Sequence, residues 1–133
     1  MTVLLDTHVW VWWLMRNSPL TRRERDGLDT LAARRSVAIS AISLWEAQML
    51  HRKGRLELPI SFADWLEQAA DDKMILVVPL NTQVVLALDE LPASFHGDPA
   101  DRLIVSTARA HSWPLATRDA SIRRSRTVTL WKP

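Results

Sequence analysis

The 133-residue chain contains no cysteine. That excludes disulfides, thiolate nucleophiles and cysteine zinc sites, and it fits a reducing compartment. Long apolar runs are missing too. The most apolar stretch, Val9 to Met15, falls well short of the roughly 18 residues a membrane helix needs. No basic segment precedes that stretch, so it does not read as a secretory signal, and the expected location is the cytoplasm with no membrane contact. The four histidines, His8, His51, His96 and His111, include no His-x-x-x-His pair, which leaves zinc without its usual helical ligands. Strong net charge is also absent. Seventeen Lys and Arg against 15 Asp and Glu leave a formal charge of +2, a weak pointer to a polyanion. The bases are mostly arginine, the better fork for phosphate. No repeat, low-complexity segment or linker interrupts the chain, and the expectation is a single domain over residues 1–133.

What the sequence does have is an opening in which Val3-Leu4-Leu5 runs straight into Asp6 without a turn signal. An unbroken apolar run of this kind reads as a strand buried on both faces. In open parallel sheets, ligands gather just beyond the carboxyl ends of such strands. A carboxylate placed there must be paired with a base or hold a cation, because an unpaired buried charge is strongly unfavourable.

The remaining elements follow in order. Residues His8 to Met15, with Trp10, Trp12 and Trp13, form a helix apolar almost all round, which places it in the core or in an interface. Thr21-Arg22-Arg23-Glu24 is a capping box for a second helix ending near Arg35, with Leu28, Leu31 and Ala32 inward. Val37 to Ile39 is a strand. Ser43 opens a helix that runs to about Lys53 before Gly54 stops it. Ser61 caps another through Ala70, and Met74 to Val78 is the third strand. A helix from Thr82 to about Leu88, a loop from Pro92 to Gly97, and a long helix from Asp98-Pro99 through His111 come next. Leu115 to Thr117 is a short strand and Thr127 to Trp131 a candidate last one, at the edge. Strands separated by helices imply right-handed crossovers, hence an α/β fold with a parallel sheet flanked by helices on both faces.

Four acids fall at strand ends or in the helices that follow: Asp6, Glu46, Asp101 and Asp119. In a doubly wound sheet those positions share one rim. Each has an ordinary alternative. Ser43-Leu44-Trp45-Glu46 is also a capping box, although Met49 and Leu50 put Glu46 on the inward face. Asp98 suits the N-cap of the helix that holds Asp101, with a supporting role at the site as the other reading. Asp119 suits the cap of a short last helix. For Asp6 nothing nearby needs a cap. Clustered carboxylates raise one another's pKa, and a divalent cation removes the conflict. An oxygen-rich set without thiolates suits Mg²⁺, or Mn²⁺, rather than zinc. Ser43 and Thr117, each near an acid, can donate hydrogen bonds to a carboxylate or a bound water. His8 and His96 can approach the same rim, although a lone histidine is more often a polar surface group.

Taken together, Leu4-Leu5-Asp6-Thr7-His8, Ser43-Leu44-Trp45-Glu46-Ala47, Asp98-Pro99-Ala100-Asp101-Arg102-Leu103-Ile104 and Ala116-Thr117-Arg118-Asp119 resemble a PIN-domain ribonuclease of the VapC toxin type, across essentially the whole chain. The resemblance implies a PIN-like fold and Mg²⁺-dependent endonucleolytic cleavage of RNA. It implies Asp6, Glu46 and Asp101 as acidic metal-site positions, with Asp119 as the more variable fourth. Arg102 lies in the matching motif, either against an acid or against phosphate. The family usually carries a lysine soon after its glutamate, and here His51-Arg52-Lys53 comes later. A cognate antitoxin that shields the acids and a homodimer are also implied. The arginines Arg102, Arg118, Arg123, Arg124 and Arg126 are either phosphate contacts, which makes binding salt-dependent, or a solvated basic tail. Single-stranded or looped RNA suits such a site better than duplex.

Three competing readings are weaker or simpler. A haloacid-dehalogenase phosphotransferase wants a second Asp two residues after the first, where this chain has His8. A response-regulator receiver needs an early acid pair and a late lysine, both missing from their places. A non-catalytic RNA- or partner-binding module needs only that the acids be helix caps and ion pairs, and it tolerates Asp6→Asn.

Overall fold

Val3–Leu5 forms β1, fully buried, and its neighbours in space come from distant parts of the chain. The computed structural model describes residues 1–15 and 18–133. After β1 come α1 (Thr7–Trp13), α2 (Arg22–Ala33), β2 (Val37–Ser40), α3 (Ala41–Arg52) and α4 (Phe62–Ala69). Then follow β3 (Leu76–Val78), α5 (Thr82–Asp89), α6 (Pro99–His111), β4 (Leu115–Ala116) and α7 (Ala120–Ser125). The sheet order is β3-β2-β1-β4 and every pairing is parallel, so β1 is central.

Alternate residues of each strand enter different cores, which is how helices come to cover both faces. Val3, Leu5, Val37, Ile39 and Ala116 pack with Trp10, Leu28 and Trp65 on one side. Leu4, Ala38, Val78 and Leu115 pack with Ile104, Val105 and Ile122 on the other. The expected α/β sheet with helices on both faces is therefore what the chain forms. Among the described residues, no helix is long and apolar enough to cross a membrane.

The tryptophans of α1 are spent mainly on the core. Trp10 is fully buried and donates its indole N–H to the Ala69 carbonyl at 3.0 Å, while Trp13 donates to Asp29 at 2.9 Å. Trp12 is only half-buried. That helix is thus less available as an interface than its apolarity suggested. The most exposed tryptophan is Trp45 of α3.

Local signals hold at several helix ends. Thr21 and Glu24 close both halves of their capping box at the start of α2. Gly54, with φ +68°, follows the end of α3, as expected where a chain leaves a helix in the left-handed region. Asp98 accepts from the Asp101 amide and Pro99 is the first residue of α6. Two expectations need correction. Residue Ser40, not Ser43, caps α3, because β2 runs directly into the helix with no loop between them. Residues 127–131 do not form a strand. They make one parallel bridge, Leu115 to Leu130, carried by the Leu115 amide to Thr129 O at 2.8 Å and the Trp131 amide to Leu115 O at 2.9 Å.

Candidate functional site

The abrupt junctions at the carboxyl ends of β1, where one residue intervenes before the helix, and of β2, where none does, place side chains at the rim of the sheet. Asp6 directly follows β1 and caps α1. Its Oδ1 accepts the Thr7 amide at 2.8 Å, which corrects the expectation that nothing near Asp6 needs a cap. Its Oδ2 accepts the Thr117 hydroxyl at 2.7 Å from beyond β4, and His8 Nδ1 lies 3.5 Å away. Asp6 is only 3% exposed, yet neither lysine nor arginine meets it among the described residues. Neutral donors hold this carboxylate.

The second junction frees Glu46. With Ser40 as cap, Glu46 sits in the second turn of α3 rather than the first, and the Ser43–Glu46 capping box does not form. Ser43 is buried and its Oγ lies 2.7 Å from Thr7 Oγ1, while the Thr7 hydroxyl donates to Glu46 Oε1. A hydroxyl has one proton to give, so Ser43 must donate to Thr7. The relay from Ser43 through Thr7 to Glu46 orients the carboxylate without neutralising it. Burial pushes the Glu46 pKa above the usual carboxylate value, and the nearby charges of Asp6, Asp101 and Asp98 push it the same way against the Thr7 hydrogen bond.

Asp101 enters from α6. Its Oδ2 lies 2.7 Å from His96 Nε2. Burial raises its pKa as well, helped by Asp6, Asp98 and Asp119 and opposed by the His96 contact. Among the described residues, no hydrogen-bond donor reaches Glu46 Oε2 or Asp101 Oδ1. Asp6, Glu46, Asp98 and Asp101 line one cavity of about 330 Å³, and Lys53 and Arg55 line it too.

Other residues named from sequence take different places. Asp119 lies outside that lining and caps α7, with Oδ1 accepting from the Ile122 amide at 2.9 Å. Its own amide donates to Thr117 Oγ1 at 3.0 Å, so it braces the threonine that holds Asp6. Arg102 reaches neither an acid nor open solvent contacts alone: its guanidinium donates to the Phe95 carbonyl at 3.4 Å. Arg118 pairs with Glu24, and Arg123 donates to Thr117 O at 3.0 Å. His8 and His96, which the sequence allows either to approach the rim or to be polar surface groups, both sit against acids of the rim. Lys53 and Arg55 were not singled out as site residues. Both lie next to Gly54, and the stop signal there was the only hint that the chain turns back beside the helix end.

Among the described residues, no three His, Cys, Asp or Glu side chains are grouped so that they would hold one ion as they stand. The donor set itself suits a hard divalent cation. It offers carboxylate oxygens only, two of them free, and two acids whose charged forms are disfavoured by burial and by each other.

With this geometry in place, the chain belongs to the PIN-domain family, whose profile matches residues 3–126. Within that family it is similar to Ribonuclease VapC22 of Mycobacterium tuberculosis (strain ATCC 25618 / H37Rv), at 37% identity over 133 residues that cover 98% of each chain. Its fold resembles that of VapBC2 from Rickettsia felis, solved bound to a DNA fragment from their promoter (TM-score 0.73, 20% identity, 98% of each chain). It also resembles FitAcB from Neisseria gonorrhoeae (TM-score 0.68, 23% identity, 98% of this chain and 97% of that one). At those identities the two structures establish a shared fold.

Proposed function

We propose that the chain is a divalent-metal-dependent endoribonuclease of the VapC type, the toxin of a toxin–antitoxin pair. The observation that carries this reading is that Asp6, Glu46 and Asp101 face one cavity with no lysine or arginine paired to any of them among the described residues, while two are pushed towards protonation. A fold that only needed stability has no use for such an arrangement, since the repulsion is a standing cost.

On this reading Asp6, Glu46 and Asp101 hold Mg²⁺ or Mn²⁺, with Asp119 acting through Thr117. When bound, the ion supplies a more acidic water and offsets the charge that builds on phosphorus. The protein's own share is positioning. Thr117 and the Thr7 amide fix both oxygens of Asp6, the Ser43–Thr7 relay fixes Glu46, and His96 fixes Asp101. Lys53 and Arg55 meet substrate phosphate at the cavity mouth, where a single-stranded or looped RNA presents an accessible phosphodiester.

The likeness to a protein named Ribonuclease VapC22 supports RNA as substrate, and the fold shared with VapBC2 and FitAcB supports an antitoxin as partner. A homodimer belongs to the same proposal, checked by solution mass. The test is RNA cleavage by purified protein in Mg²⁺, in EDTA, and with Asp6→Asn. Loss in both latter arms is expected, and undiminished cleavage in EDTA would reject metal dependence. A second reading, a metal-independent binding module, is favoured by the cap roles of Asp6, Asp98 and Asp119 and the lack of a ready-made ion cage. It requires full function from Asp6→Asn.

A further inference from the structure

A second cavity, of about 280 Å³, lies on the other side of the Asp101–His96 contact. Its lining is opposite in chemistry to the first. It includes Ser94, His96, Ser121, Arg124, Ser125 and Thr127, and no carboxylate. Ser125 and Thr127 hydroxyls bond each other at 2.8 Å, and Ser125 also donates to Ile122 O, so those two are satisfied. Among the described residues, Arg124, Ser94 and Ser121 make no side-chain hydrogen bond and Arg124 no ion pair.

The structure thereby sorts the arginines that sequence left equivalent. Arg102 is tied to Phe95 O, Arg118 to Glu24 and Arg123 to Thr117 O. Arg126 closes α7 with a positive φ of 56° and does not line the cavity. Arg124 alone of the five combines a free guanidinium with a concave, hydroxyl-lined wall. A guanidinium with two free hydroxyls and no competing acid is a donor set for a phosphodiester oxygen.

The geometry points to this cavity as a second phosphate subsite for the RNA strand, gripping a phosphate adjacent to the one presented to the acids, with Arg124 as its anchor and Ser94 and Ser121 as neutral donors. The assignment deepens the nuclease reading and rests on it for the identity of the strand. His96 links the two cavities: it lines the second and bonds Asp101, which lines the first. One strand can therefore present one phosphate to the acids and the next to a cavity whose lining has no carboxylate.

The test measures binding of a short fluorescein-labelled oligouridylate by anisotropy in EDTA, across a salt series, for the wild type, Arg124→Ala, Arg124→Lys and Ser121→Ala. Arg34→Ala, exposed at the end of α2 and remote from both cavities, controls for net charge. Arg124 is exposed, and circular dichroism checks that each variant is folded. Losing one charge-assisted phosphate contact should raise Kd about tenfold and flatten the salt slope by about 0.7. Arg124→Lys should restore the slope and only part of the affinity, Ser121→Ala should weaken binding a few-fold without changing the slope, and Arg34→Ala should do neither. In Mg²⁺, Arg124→Ala should raise KM far more than it lowers kcat. Wild-type Kd and slope in Arg124→Ala would overturn the subsite, as would an equal loss in Arg34→Ala or no binding by the wild type. If the wild type binds the probe through Arg124 but cuts no RNA, the subsite stands and the nuclease reading falls.

Discussion

Two charged regions flank the end of β4, and they handle charge in opposite ways. On one side Arg118 grips Glu24: the guanidinium Nε donates to Oε2 at 3.1 Å, Nη2 bonds Oε1, and the Arg118 amide donates to His8 Nε2 at 3.0 Å. The Arg118 hydrogen bond holds the Glu24 carboxyl below its usual pKa, against a smaller push from burial. On the other side Glu46 and Asp101 sit among like charges with only hydroxyls and an imidazole as partners, and their pKa values rise. The same short chain thus pairs an acid with a guanidinium where structure is the task and leaves the rim acids without one among the described residues. Balanced charge fastens α2 to the loop after β4. Unbalanced charge waits for something positive.

Breaking the unbalanced side should have the largest effect, and on activity alone. Asp6→Asn keeps the acceptor that caps α1, and both it and Asp101→Asn keep the side-chain volume, so RNA cleavage should fall by about 10²–10³ or more with an unchanged circular dichroism spectrum. Removing Mg²⁺ with EDTA should give the same loss in the wild type. Next comes the balanced side. Arg118→Ala should cost about 1 kcal/mol, as an exposed pair does, and lower Tm by a few degrees at neutral pH. Glu24 has a lowered folded pKa, so the stability it contributes is present above its unfolded value and is lost as pH falls through the folded one. The Tm gap between wild type and Arg118→Ala should therefore close in acid. The smallest effect has the opposite sign. Glu46 has a raised folded pKa, so the native state loses stability as pH rises from the ordinary carboxylate value through the raised one. Metal-free Glu46→Gln should melt slightly above wild type at neutral pH and level with it in acid. A lower Tm for Glu46→Gln at neutral pH would break the comparison.

Much of this was readable in advance because it rests on periodicity and caps. The apolar run Val3-Leu4-Leu5, the Thr21–Glu24 box, Gly54 and Asp98-Pro99 are local signals, and each lies where local physics puts it. Ser40 and Ser43, three residues apart, each suit the cap of a helix, and only the extent of β2 decides for Ser40. The Asp6 cap escaped notice because a strand that turns into a helix within one residue leaves no loop to read. The approach of His96 to Asp101 depends on where a loop folds back, which no residue pattern encodes. The five arginines look alike in sequence, and only their partners tell them apart.

Of the two strands that flank β1 in the sheet, β2 follows it closely in the chain and β4 comes after all the other strands among the described residues. During translation β1 can pair with β2 early, but its other edge stays open until residues 115–116 have left the ribosome. Thr117, which steadies Asp6, emerges later still. Asp6 therefore gains its Thr117 partner only once β4 has docked beside β1, and the acidic rim depends on a pairing between distant parts of the chain.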